Sequence, residues 1–149
     1  MKCRNCNKEL SHTFIDLGSS PPSNSYLITD DLKSPEKWYP LKVKVCSKCW
    51  LTQTEDFVGV RDMFSDDYAY FSSYSSSWLN HAKVYVEKMI LNFGLTKKSM
   101  VAEIAANDGY LLQYVKKASI PCYGIEPTHS TAIAARKKGI EIFEDFFGE

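Results

Sequence analysis

Apolar and charged residues alternate along Leu41-Lys42-Val43-Lys44-Val45, the period of a half-exposed strand. Further on the period changes. Trp78, Ala82, Tyr85, Val86, Met89, Ile90 and Phe93 recur at steps of three and four, which predicts a helix with one apolar face. Ser76 or Ser77 can cap its start, and Gly94 ends it. After residue 98 the pattern becomes strand, turn, helix, repeated. Met100 to Ala105 is a short apolar strand, and Ala106-Asn107-Asp108-Gly109 is a turn. Tyr110 to Ala118 reads as a helix with Leu111, Leu112, Tyr114 and Val115 inward, and Pro121 breaks it. Cys122 to Glu126 is a second strand. Thr128 or Ser130 opens another helix that runs to Lys138, and Ile140 to Phe143 is a third strand. This βαβαβ order predicts a parallel sheet with right-handed crossovers.

The chain divides near residue 75. Before it lie Pro21, Pro22, Pro35 and Pro40 and few helix signals. At 149 residues the chain makes one average domain or two small ones. Its formal net charge is zero, so it carries no electrostatic footprint for nucleic acid or an anionic membrane. No apolar run approaches the length of a membrane span. Met1-Lys2-Cys3-Arg4 lacks the apolar core of a signal peptide, so the expected location is the cytoplasm.

Cysteine spacing adds chemistry. Cys3-Arg4-Asn5-Cys6 and Cys46-Ser47-Lys48-Cys49 are two C-x2-C knuckles, and four thiolates so paired make a tetrahedral Zn²⁺ site. Four protein ligands leave no open position for water, so the expected role is structural. The competing reading is unrelated thiols or two disulfides. The alternating strand runs directly into the second knuckle, and residues 1 to about 60 read as a zinc-ribbon-like β module, too small to fold well without its metal. Cys122, the fifth cysteine, sits in an apolar strand and reads as a buried, inert thiol.

Asp67 to Ser77 mixes four aromatic rings with small hydroxyl residues. Such a segment serves equally as a packed linker or as a pocket wall. His81 lies beside the helix face and reads as a surface or interdomain histidine. In a βαβαβ unit, ligands bind beyond the carboxyl ends of the strands, near the first turn. Glu126 ends the second strand about 20 residues after that turn, where an acidic group meets ribose hydroxyls. The turn Ala105-Ala106-Asn107-Asp108-Gly109 is not G-x-G-x-x-G and offers no clear pyrophosphate cradle. A nucleoside ligand without a pyrophosphate, such as S-adenosylmethionine, fits better than NAD.

Glu103-Ile104-Ala105-Ala106-Asn107-Asp108-Gly109 resembles the first motif of class I S-adenosylmethionine-dependent methyltransferases, and Tyr123-Gly124-Ile125-Glu126-Pro127 resembles their second. The order of motifs along the whole chain is similar to that of the zinc-containing C-methyltransferases of nucleotide-linked deoxysugars. That order comprises the two knuckles, the Pro-x-x-Asn loop at Pro21 to Leu27 and the Tyr-Phe-Ser-Ser-Tyr-Ser run at Tyr70 to Ser75. It continues with Trp-x-x-His from Trp78 to His81, the Asn-Asp-Gly turn, the Gly-Ile-Glu-Pro strand end and Asp-Phe-Phe-Gly at Asp145 to Gly148. The resemblance implies an α/β chain in three parts: a zinc-binding module over 1–60, an aromatic linker and amphipathic helix over 61–98, and over 99–149 the first half of a Rossmann-like methyltransferase sheet. It implies cofactor contacts from Glu103, Ala105, Ala106, Asn107, Asp108, Gly109, Glu126, Pro127, Asp145 and Phe146. Asp145 and Phe146 would border the adenine, and Tyr70 and Tyr74 would reach the sugar.

The chain departs from that family in two ways. Ala105 stands where the family usually has glycine, and the family's chains are much longer. Their catalytic His and Tyr/Glu residues lie in the part that has no counterpart here, so no catalytic residue is expected among these 149. The expectation is therefore an N-terminal portion that needs the rest of the methyltransferase, or self-associates through an open sheet edge. The alternatives are a zinc-ribbon module that docks on a partner, and a nicotinamide-binding oxidoreductase fragment, against which the missing glycines argue.

Overall fold

The computed structural model describes residues 1–57, 59 and 68–148. Asp67, counted above in the aromatic segment, lies outside the described residues, as do the expected boundary at 60–61 and Glu149. The chain falls into two compact units, Met1–Met63 and Phe64–Glu149.

The first unit holds a three-stranded antiparallel sheet in the order β1 (His12–Ser20), β2 (Tyr39–Val45), β3 (Thr52–Thr54). His12 and Thr52 both pair with Val45. The alternation along Leu41 to Val45 does not become an alternation of burial, since residues 42–45 are all half-buried. Lys42 is held down by Asp16, at 2.8 Å between Nζ and Oδ2. β1 is exposed along its whole length. Among the described residues of this unit, the buried apolar ones are Cys3, Leu10 and Cys46, which is very little core for the surface they must stabilise.

Among its described residues, the second unit has a turn of 3-10 helix at Ser72–Tyr74 and then α1 (Ser76–Phe93). The cap of α1 is Ser75, one residue before the serines expected: its hydroxyl accepts from the Trp78 amide at 3.2 Å. Gly94 closes the helix in the left-handed region, at φ 59°. The buried stripe of α1 is narrower than the apolar spacing implies. Ala82 and Val86 are buried, Met89 and Ile90 half-buried, while Trp78, Tyr85 and Phe93 stay exposed.

There follow β4 (Val101–Ile104), α2 (Leu112–Lys117), β5 (Cys122–Ile125), α3 (His129–Lys137) and β6 (Glu141–Phe143). The three strands are parallel, as the βαβαβ pattern predicts, and stand in the order β4-β5-β6. One sheet face packs on the helices. Leu112 and Val115 of α2, Ala132 and Ala135 of α3, Val86 of α1 and Ile142 of β6 form one core. On the other face Ile104 and Phe143 stay more than half exposed, and Tyr123 meets Phe143 edge-on at 5.4 Å. Among the described residues no strand pairs with the second edge of β4.

Two glycines set how closely the layers approach. A Cβ at Gly124 would lie 2.5 Å from the Ala106 Cβ and 2.7 Å from the Ile142 Cδ1, and one at Gly109 would lie 2.4 Å from the Ile140 Cδ1. Gly109 also holds φ +74°. It is therefore a packing residue between the turn, Ala135 of α3 and Ile140 just before β6.

Candidate functional site

Two knuckles of matching geometry hold the four cysteines. In the first, the Asn7 amide donates to the Cys3 carbonyl at 2.9 Å and the Cys3 amide to the Lys8 carbonyl at 2.8 Å. In the second, Trp50 donates to Cys46 at 2.9 Å and Cys46 to Leu51 at 3.0 Å. Asn7 and Trp50 occupy the left-handed region, at φ 59° and 63°, which turns each chain back under its sulfurs. The four Sγ atoms lie within 4.8 Å of one another. Cys3 and Cys49 are 3.5 Å apart, as are Cys6 and Cys46. A tetrahedral site with Zn–S bonds of ~2.3 Å has sulfur–sulfur edges of about 3.8 Å, so the donor set and its spacing fit Zn²⁺. All four thiols are free of disulfides.

A supporting shell surrounds the cysteines. The Gln53 Nε2 donates to the Cys3 sulfur at 3.4 Å, and its Oε1 accepts from the Arg4 amide at 3.0 Å. The Lys48 amide donates to the Cys46 sulfur at 3.4 Å. Such donors stabilise thiolate ligands and fix their direction. Gln53, buried on β3, went unnoticed in the sequence, where no spacing rule points to it.

The second site is a cavity of about 520 Å³ within the second unit. It opens beyond the carboxyl ends of β4 and β5, the position that such a sheet dictates. Of the expected residues, Ala105, Asn107, Glu126, Pro127, Asp145, Phe146 and Tyr70 line it. Glu103, Ala106, Asp108 and Gly109 are not among the lining residues. Nor is Tyr74, which is 83% exposed and stacks on Phe71. The cavity adds Trp78, Tyr110 and Thr128, which the sequence places in helices or at their starts and not among the ligand contacts.

Glu126 is 4% exposed and anchors the cavity floor. Its Oε2 accepts from the Asn107 amide at 2.8 Å. Its Oε1 accepts from the Thr128 amide at 3.0 Å and the Thr131 hydroxyl at 3.1 Å. Each carboxylate oxygen can accept two hydrogen bonds, so Glu126 organises the turn and the start of α3, and these three bonds leave one acceptor site, on Oε2. Glu103, on β4, is different. Burial pushes its carboxyl up to about 8, against the pull of a hydrogen bond with Tyr110, and Asp108 and Glu126 add to the rise. Burial also raises the Tyr110 phenol, with Glu103 adding to it. The Tyr110 ring packs under Trp78 at 6.0 Å, and Trp78 stacks on His81 at 5.1 Å. Cys122, expected to be buried, is half-buried against the core, and burial raises its thiol.

The wall at Asp145 and Phe146 is held from below. Arg136 Nη1 donates to Glu144 Oε2 at 2.6 Å, and the His129 Nδ1 meets Glu144 Oε1 at 2.7 Å. The Arg136 guanidinium, then His129, keeps the Glu144 carboxyl below its ordinary range.

Residues 3–64 match the Methyltransf_13 family, described as "Putative zinc binding domain". Over 140 residues the chain is 29% identical to a protein of Streptomyces niveus named C-methyltransferase NovU. The match covers 94% of this chain and 33% of that protein, so the chain spans about a third of its relative's length. The chain is thus a distant relative of a C-methyltransferase and opens with a methyltransferase-related zinc-binding domain. Among the described residues no helix is long and apolar enough to cross a membrane.

Proposed function

We propose that this chain binds S-adenosylmethionine and forms the zinc- and cofactor-binding part of a cytoplasmic enzyme that methylates a carbon of a nucleotide-linked deoxysugar. The observation that carries this reading is the cavity beyond β4 and β5 with Glu126 at its floor. The name of the relative supports transfer to carbon. In this reading Glu126 accepts from the ribose diol. Asn107 and Ala105 face the methionine end, and Asp145 and Phe146 border the adenine. Tyr70 stands toward the sugar. The cofactor supplies an electrophilic methyl group, and the chain's own residues bind, orient and exclude water. Zn²⁺ at Cys3, Cys6, Cys46 and Cys49 ties the first unit together and takes no part in the transfer.

The 149 residues alone are proposed to bind the cofactor weakly and to show no turnover. An open β4 edge beside Ile104 invites another chain segment, because an unpaired strand is a template for pairing. Either the rest of a methyltransferase or a second copy covers it. A second reading, a zinc-ribbon module that docks on a partner without catalysis, draws support from the first unit, where Phe14, Leu17, Trp38 and Trp50 are more than half exposed. A methyl-transfer assay on nucleotide-linked keto-deoxysugars, with light scattering on the same sample, tests the proposal. Turnover by a monodisperse monomer would place the catalytic groups within these residues and refute this division of labour.

A further inference from the structure

The segment Tyr68 to Tyr74 forms one wall of the cavity through Tyr68, Tyr70 and Ser72. It is tied to the turn after β4 by side chains that the family resemblance assigns to the cofactor. The Asn107 Oδ1 accepts from the Ser72 amide at 2.9 Å, and its Nδ2 donates to the Tyr70 carbonyl at 3.0 Å. The Asp108 Oδ2 accepts from the Ser73 amide at 3.2 Å. Both faces of that junction meet Lys138, the C-cap of α3. Its Nζ donates to the Ser73 hydroxyl at 2.7 Å and to the Asp108 carbonyl at 2.6 Å, and lies 3.4 Å from Asp108 Oδ2.

A lysine at the end of a helix ordinarily turns back to the last carbonyls, where the helix dipole favours it. Lys138 instead reaches across to the turn and the wall. Asp108 is 3% exposed, and a buried carboxylate without a cation is strongly destabilising. One ammonium thus compensates Asp108 and bonds the wall segment at the same point. The geometry points to Lys138 as a positioning residue: it locks the Tyr70 wall onto the Asn107-Asp108 turn, so that both sides of the cavity close on one ligand. Its ligand half rests on the S-adenosylmethionine reading above; its structural half does not.

The test uses the full chain, zinc-loaded, with Lys138→Met and Lys138→Arg. Amide hydrogen exchange is read at Ser72 and Ser73, with Ile104 and Ile125 in the sheet as controls, and S-adenosylmethionine affinity by NMR titration. Lys138→Met is expected to speed exchange at Ser72 and Ser73 about tenfold and to weaken binding about tenfold, since charge-assisted hydrogen bonds are the strong ones. The sheet controls stay unchanged, and Lys138→Arg restores most of both. Ser73→Ala, which spares the Asp108 pair, should also loosen the wall; it decides the matter if Lys138→Met does not fold. Unchanged exchange at Ser72 and Ser73 overturns the clamp, and so does faster exchange throughout the sheet. Faster local exchange with unaltered affinity overturns its role in binding. If the unaltered chain shows no saturable S-adenosylmethionine binding, the cofactor reading fails, and the exchange rates alone decide the clamp.

Discussion

Ala105→Gly isolates the strain at the mouth of the cavity. Ala105 lies directly after β4 with φ +57°, a left-handed conformation in which Cβ crowds the following carbonyl. That crowding costs an L-residue ~1–2 kcal/mol. Glycine removes it, but the unfolded glycine chain has more freedom to lose, which returns ~0.4–1 kcal/mol. The net expectation is a gain of about 0.5–1 kcal/mol. For a unit of this size that raises the melting temperature by ~2–8 °C. The methyl group also lines the cavity, so cofactor affinity should hold or tighten. The assay is thermal unfolding followed by circular dichroism at 222 nm, because all three described α-helices lie in the second unit. An unchanged or lowered melting temperature would show that Ala105 is not strained, and that this turn tolerates its methyl group for another reason.

Other expectations concern metal, protons and the floor of the cavity. One Zn²⁺ per chain should be found by elemental analysis, with Zn–S distances of ~2.3 Å by X-ray absorption. Chelation should unfold the first unit, whose buried apolar residues are few; a metal-free folded unit or a Cys3–Cys6 disulfide contradicts this. Glu103 has a carboxyl near 8 when folded, against an ordinary value of 4.5, so between those values only the folded chain holds the proton. That stabilisation is complete below pH 4.5 and is lost as the pH rises through 8, a span worth at most ~4–5 kcal/mol. Urea midpoints of the second unit should therefore fall from pH 6 to 8.5, and Glu103→Gln should flatten the slope; equal slopes in both chains dismiss the neutral carboxyl. Glu126→Gln keeps the shape but cannot accept with both atoms, so S-adenosylmethionine binding should weaken by about 1–3 kcal/mol in calorimetry.

The second half of the chain was legible because its periods are strong. Short apolar strands separated by helical spacing specify a parallel sheet, whereas the order β4-β5-β6 comes from the structure. The knuckles were legible because C-x2-C fixes two sulfurs on one turn. β1 was not: both its faces are exposed, so no alternation marks it. The run Ser75-Ser76-Ser77 offers three possible caps, and only geometry chooses Ser75. The apolar face of α1 overstated its buried stripe, because Trp78 turns to the cavity and Phe93 to solvent. The turn was placed correctly, but its chemistry was not readable. Whether Asn107 and Asp108 aim at a ligand or at the backbone of Tyr70 and Ser73 depends on contacts more than 30 residues apart in sequence. Gln53 and Lys138 act through the same kind of long-range contact.

A titration of the isotope-labelled, zinc-loaded chain with S-adenosylmethionine, followed by ¹H–¹⁵N correlation spectra and repeated with NADH, tests the central claim most directly. The account predicts saturable shifts with S-adenosylmethionine at the amides of Asn107, Glu126, Thr128 and Phe146, none at Cys3 to Cys6, and no saturable shifts with NADH. Shifts confined to the first unit, shifts with NADH alone, or no response to either ligand would contradict it.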